Sequence, residues 1–240
     1  MHIVGLGSNV RFAVTDRYGG TSAGAFRSLN LSDHVEDEPA RVADNRRRAA
    51  DGLGLRPESV AWLNQVHGSD VAVIDEPPTD GPPRADAAVT GRPGVALAVL
   101  VADCVPVLLA DRDAGVLAVA HAGRRGLVAG VVSATLAAMT DLGADPERTS
   151  ALIGPAVGPC CYEVPADLQA EVVGKIPATA GRTRRDTPAL DLSAGTHAEL
   201  TRAGVHRVRR MEVCTAEDPA YFSHRRDGVT GRFAGYAWRQ

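Results

Sequence analysis

The most apolar stretch of the chain, residues 95–126, splits into two β-like runs, residues 105–110 and 115–120, on either side of the polar stretch Asp111-Arg112-Asp113-Ala114. A short polar connection between two β-rich runs predicts a hairpin. With the turn centred between Arg112 and Asp113, Cys104 and His121 face one another across the ladder. Directly opposed side chains keep their Cβ atoms about 4.5–5.5 Å apart, close enough for a thiolate and an imidazole to share one tetrahedral metal with donors about 3.5 Å apart. The pairing requires an unbulged hairpin, because a one-residue slip turns one of the two side chains to the other face. Pro106 removes one donor from this ladder.

Shorter β-like runs occur at residues 2–5, 11–15, 60–63, 71–74, 150–153 and 208–213. Pro39 opens a helix to Leu53, with Val42, Asn45, Arg46 and Ala49 at helical spacing and Gly54 as its stop. A second helix begins just after His121, carries Val128, Val131, Val132, Leu136 and Met139 on one face and stops at Gly143. Two more start near Pro165 and Leu192, joined by a polar link over residues 177–187. The helix start beside His121 offers free backbone donors to an anion, and Arg124 and Arg125 add charge there. Paired glycines at 19 and 20 mark a tight turn beside Arg17, and Ser28, Asn30 and His34 lie on an irregular but ordered stretch. Residues 221–235 mix aromatics with arginines suited to bracing loops or meeting a substrate.

Composition narrows the class. The 240 residues, 45% hydrophobic and 23% charged, suit one α/β domain spanning residues 1–240, with a core of Val, Leu and Ala because aromatics supply only 4%. A net charge of −3 lacks the basic excess of a nucleic-acid or membrane-surface binder and points to a small-molecule ligand. The four cysteines, at 104, 160, 161 and 214, lack paired zinc-finger spacing and a disulfide framework, so reduced thiols and a cytoplasmic setting are expected. Adjacent Cys160 and Cys161 read as small packing residues beside a Gly/Pro turn. No signal-peptide pattern and no run of about 20 apolar residues is present.

His67, on a short connection between strands, joins Cys104 and His121 as a third candidate ligand. Two imidazoles and a thiolate with an open fourth position form a catalytic zinc set that can activate water or polarise a substrate group. Three other readings use the same residues. Cys104 with His121 is a nucleophile and base for a cysteine hydrolase; the trio can hold copper as a redox centre; or the metal is purely structural in a non-enzymatic interaction protein. A multi-centre copper oxidase is ranked last, since the seven histidines are scattered.

Several motifs, taken together and in order, carry a resemblance: SLNL at 28–31, NR at 45–46, NQVHG at 64–68, ADCVPVL at 102–108, HAGRRG at 121–126, IGP at 153–155, CCYEV at 160–164 and FSHRRDGVTGR at 222–232. They resemble the laccase-domain family, labelled in turn polyphenol oxidase, purine nucleoside phosphorylase and, in bacteria, peptidoglycan editing factor. The resemblance implies a four-layer α/β/β/α sandwich with mixed sheets and zinc, ahead of Cu2+, on His67, Cys104 and His121. It also implies a pocket in which purine nucleosides such as adenosine, inosine and methylthioadenosine are cleaved by phosphate, or adenosine is deaminated. Within it, Arg46, Arg125, Ser28 and Asn30 are expected to bind substrate, and Gln65 and Asp103 to orient the ligands from behind. A cysteine-type hydrolase editing peptidoglycan precursors is the alternative. Arg124 stands where the family usually has tryptophan.

Overall fold

A computed structural model describes residues 1–6 and 9–239. Two mixed sheets carry the architecture. Sheet 1 has the order β1 (His2–Leu6), β2 (Val10–Val14), β13 (Phe233–Arg239), β6 (Ala96–Val101), β3 (Val60–Ala61). Sheet 2 runs β12 (Arg207–Arg210), β9 (Ser150–Ile153), β7 (Val105–Asp111), β8 (Val116–Ala122), β5 (Ala87–Thr90), β4 (Val71–Val73). Most neighbours are antiparallel, but β3–β6, β9–β12 and β4–β5 are parallel.

The alternation of side chains along the strands assigns them to three seams. On β7, Val107 and Leu109 join one core and Leu108 the next; on β8, Ala118 and Ala120 are separated from Leu117 and Val119 in the same way. On β6, Leu97 and Val99 meet sheet 2, whereas Ala96, Ala98 and Leu100 turn outward. The outward face of sheet 1 is covered by α1 (Pro39–Leu53), through Ala49, Ala50 and Leu53. The far face of sheet 2 is covered by α3 (Val131–Asp141), α4 (Ala166–Lys175) and α5 (Leu192–Arg202). The result is the expected four-layer α/β/β/α sandwich. Both central strands of the hairpin are buried along their whole length, which is why their sequence reads as a continuous apolar run.

Three local expectations are corrected. The apolar helix after His121 is two helices, α2 (Arg124–Val128) and α3, because Gly130 adopts φ +90° and breaks the path. The polar link over residues 177–187 holds the ribbon strand β10 (Ala180–Arg182), paired with β11 (Pro188–Leu190). The arginine- and aromatic-rich C-terminal stretch yields the one-turn helix α6 (His224–Asp227) and then β13, a central strand of sheet 1. No described helix is long and apolar enough to cross a membrane.

Candidate metal centre and its cavity

The hairpin register differs from the expected one by one step at the turn. Pro106 pairs with His121 and Val105 with Ala122, down to Asp111 opposite Val116, so the turn is centred between Asp113 and Ala114. The cause is Asp111. It is the last residue of the strand rather than the first of the loop, and its carboxylate accepts the amides of Asp113 (3.0 Å) and Ala114 (3.2 Å), while Gly115 takes φ +69°. The correction moves partners by two residues, which preserves the face. Cys104 therefore still lies on the same side as His121, as its diagonal neighbour. Continuing the register past Val105 puts Gly123 opposite Cys104. A Cβ there would sit 2.9 Å from His67 Cδ2 and 3.0 Å from Cys104 Sγ, so only glycine leaves the space among the three side chains open.

His67, Cys104 and His121 come together with their donor atoms within 4.8 Å of one another. Cys104 Sγ is 3.8 Å from His67 Nε2, and the two imidazoles meet edge to face with centroids 4.7 Å apart. His67 is exposed and reaches in from residues 64–68, Cys104 is half-buried, and His121 is buried on β8. His67 takes φ +61°, a conformation that costs a non-glycine residue energy unless neighbours hold it.

The holder is Asp86, fully buried at the start of β5. Its carboxylate accepts three successive amides, from Val66 (3.1 Å), His67 (2.8 Å) and Gly68 (2.6 Å). It also accepts His121 Nδ1–H at 2.8 Å, and its own carbonyl accepts the His121 amide at 2.7 Å. One carboxylate thus positions two of the candidate ligands. With Nδ1 committed to Asp86, His121 presents Nε2 to the centre. Burial pushes the Asp86 carboxyl up, but the bonds from His121 and the loop amides outweigh it and hold the group below the usual carboxylate range. Burial likewise opposes charge on Cys104 and His121, yet each favours the ionised form of the other. The thiol falls to about 6, helped by both imidazoles, and the imidazole, helped by Asp86, rises to about 9. The centre is therefore predisposed to hold a thiolate, the form that ligates metals. Asp86 was missed from sequence; its signal is a single carboxylate among alanines at the start of a fully buried strand.

A cavity of about 450 Å³ opens over this trio. Three guanidinium groups line it, those of Arg124, Arg225 and Arg232, and among the described residues none of them is ion-paired to a carboxylate. Arg225 lies over the ring of Tyr162 at 5.0 Å, and burial pushes the Tyr162 hydroxyl above its ordinary value although Arg124 and Arg225 pull it down. Burial in the wall weakens the hold of Arg232 on its proton while leaving it a cation at neutral pH.

The expected substrate and orienting residues separate into two groups. Gln65 and Asp103 line the cavity, but neither bonds a ligand side chain. The Gln65 amide exchanges two 2.8 Å hydrogen bonds with the backbone of Leu100. Asp103, at φ +88°, accepts Thr215 Oγ1 and the Arg225 amide, both at 2.6 Å, and so ties the C-terminal segment to the residue before Cys104. Ser28, Asn30, Arg46 and Arg125 lie outside the cavity lining. Ser28 Oγ donates to the Arg17 carbonyl (3.0 Å), and Arg46 is held by the Leu31 carbonyl, Asp33 and the face of Trp62. Asn30 is fully buried, and its Oδ1 accepts the Arg232 amide at 2.9 Å, next to a cavity arginine. Arg125 is exposed, since α2 turns Arg124 inward and the next residue out. Arg225 and Arg232 were legible only as part of a mixed aromatic and basic stretch, with no periodicity to say which faced the centre.

A model of the family described as "Multi-copper polyphenol oxidoreductase laccase" matches residues 11–240. The chain is 56% identical over 232 residues to the purine nucleoside phosphorylase SCO2081 of Streptomyces coelicolor, covering 96% of each. It is 47% identical over 231 residues to the purine nucleoside phosphorylase Rv2149c of Mycobacterium tuberculosis, covering 96% of this chain and 92% of that one. The crystal structure of Neisseria meningitidis protein NMB0706 superposes with TM-score 0.87 at 40% identity, covering 97% of this chain and 95% of that one. YlmD from Geobacillus stearothermophilus gives 0.88 at 34%, covering 96% and 92%.

Proposed function

The chain belongs to the multi-copper polyphenol oxidoreductase laccase family, and from that premise we propose that it is a zinc-dependent purine nucleoside phosphorylase with adenosine deaminase as a side activity. The observation that carries the reading is the pairing of a His-Cys-His donor set with three arginines that have no carboxylate partner among the described residues, all around one cavity. The donors fit a zinc ion: Cys104 is predisposed to the thiolate, His121 presents Nε2, and Gly123 leaves the space between them clear. Zinc held by His67, Cys104 and His121 would supply a Lewis acid to polarise a substrate oxygen or water. Only His67 and His121 among the described histidines join a His/Cys cluster, a poor basis for the several centres of a multi-copper oxidase.

The chain's own residues account for the rest. Arg124, Arg225 and Arg232 bind phosphate through charge-assisted hydrogen bonds and hold it beside the ribose. One oxygen of hydrogen phosphate bonds to the anomeric carbon as the N-glycosidic bond breaks, and the base leaves with the electron pair and takes up the proton that the phosphate gives up. Apolar wall residues such as Leu63, Val101 and Val157 shield the base from water. For deamination the same cavity presents the amino-bearing ring carbon to water, and ammonia departs.

One observation favours a second reading. Cys104, His121 and Asp86 also form a thiolate, imidazolium and carboxylate series suited to a cysteine hydrolase acting on peptidoglycan precursors. Such a triad has no use for His67, whose Nε2 lies 3.8 Å from the same sulfur. The deciding experiment incubates the protein with adenosine, inosine and methylthioadenosine, with and without phosphate, and identifies products by mass. Free base formed only with phosphate, and lost on chelation, is expected. No product from any nucleoside, together with alkylation of Cys104 in metal-free protein and chelation-resistant cleavage of a peptidoglycan precursor, would favour the hydrolase instead.

A further inference from the structure

A second cluster of metal-binding chemistry lies outside the residues used above. Cys160, Cys161 and Cys214 are free thiols, each half-buried, and their sulfur atoms lie within 4.8 Å of one another. They come from two segments far apart in sequence. Cys160 and Cys161 sit on a tight turn in which the amides of Cys161 and Tyr162 both donate to the Gly158 carbonyl at 3.0 Å. Cys214 belongs to a second turn, whose amides at Glu217 and Asp218 donate to the Cys214 carbonyl. A bridge between Ala156 and Cys214 brings the segments together.

From this arrangement the geometry points to a thiolate site for a thiophilic d10 cation such as Zn2+, held by Cys160, Cys161 and Cys214. Three features argue for it. Zinc–sulfur bonds of about 2.3 Å place the sulfurs of a tetrahedral site a little under 4 Å apart, so closing the cluster needs shifts of an ångström or less. The Gly158 amide donates to Cys214 Sγ at 3.2 Å, a bond that strengthens when the sulfur is a thiolate. Glu217 Oε1 lies 3.7 Å from Cys161 Sγ, near enough to become the fourth donor, while Arg184, 2.6 Å from the same carboxylate, offsets the accumulated negative charge. Soft sulfur donors select zinc or copper(I) over magnesium or calcium.

The site would act as a clamp behind the cavity. Tyr162 and Val157, both in the cavity wall, belong to one clamped segment, and Thr215, which donates to Asp103 beside Cys104, belongs to the other. The inference does not depend on the proposed reaction, and its test reads metal rather than turnover. Reduced Cys104→Ala protein, which lacks the sulfur of the first centre, is titrated with Cd2+ alone, and bound cadmium and the thiolate-to-cadmium charge-transfer band are measured. One equivalent with the band is expected, and further substitution Cys161→Ser should weaken binding by more than the roughly 10–100-fold that loss of a merely supporting residue costs. Wild-type protein, which needs no substitution to fold, should bind two equivalents, and Zn2+ should protect Cys161 from a thiol reagent. No cadmium bound by reduced Cys104→Ala protein, cadmium bound without the band, or a disulfide among the three in protein kept under reductant would each overturn the site.

Discussion

At the scale of single residues, the centre depends on groups that are not ligands. Asp86 sets the tautomer of His121 and the loop carrying His67, so Asp86→Asn should keep the fold but lower zinc affinity about 10–100-fold, as read by competition with a chelator of known affinity. Gly123 acts by absence. Gly123→Ala puts a methyl group 3.0 Å from Cys104 Sγ and should remove bound metal while leaving the thermal midpoint within a few degrees, measured on metal-free protein. Arg124→Leu separates substrate from scaffold differently: it should raise KM for phosphate about tenfold or more, the loss of one charge-assisted bond, with metal content unchanged. An effect on nucleoside KM alone would assign Arg124 to the base or ribose instead.

At the scale of elements, the hairpin shows both what a sequence reveals and what it hides. Its two strands and the pairing of Cys104 with His121 on one face were legible because apolar runs flank a polar break. The register was not, because Asp111 is polar in sequence but fully buried in the strand, where it caps the turn and also accepts the Asp145 amide and Arg148 at 2.8 Å each. The same residue yields a pH prediction. Burial alone would raise its pKa, but the amides of Asp145 and Ala114 and the Arg148 guanidinium hold it below the ordinary carboxylate value. The unfolded chain therefore takes up this proton first on acidification. The stabilisation is complete above the unfolded carboxylate range near about 4 and is lost as pH falls through the lower folded value. Asp111→Asn should flatten the acid limb of a urea-midpoint profile against pH. Helix α1 was legible at both ends, from Pro39 to Gly54, since proline and glycine act locally. The break at Gly130 and the ribbon at 180–190 were not, because tertiary packing decides whether a lone glycine or a polar link continues, bends or pairs.

At the scale of the whole molecule, the two sheets meet through a seam that buries Leu108 and Leu117 from one side and Leu97, Val99 and Phe233 from the other. Leu108→Ala in that seam should cost about 2–5 kcal/mol in equilibrium unfolding, with spectra of the native state unchanged. Strand β13 closes sheet 1 between β2 and β6, paired with β2 over residues 235–239 and with β6 over residues 233–238. Nothing in its sequence marked it as central, since Gly235 interrupts the apolar pattern; Gly235 is needed because a Cβ there would approach Leu108 Cδ2 to 2.9 Å.

The position of β13 also fixes an order of events during synthesis. All three residues of the candidate metal centre leave the ribosome well before Arg225, Arg232 and the strand that follows them. A nascent chain can gather His67 beside Cys104 and His121 at the end of the sheet 2 hairpin while sheet 1 still has a gap between β2 and β6. Two of the three cavity cations arrive only with the segment that fills the gap. The proposed affinity for metal can thus mature on the growing chain, whereas the proposed affinity for an anion must wait for the C-terminal strand to slot home.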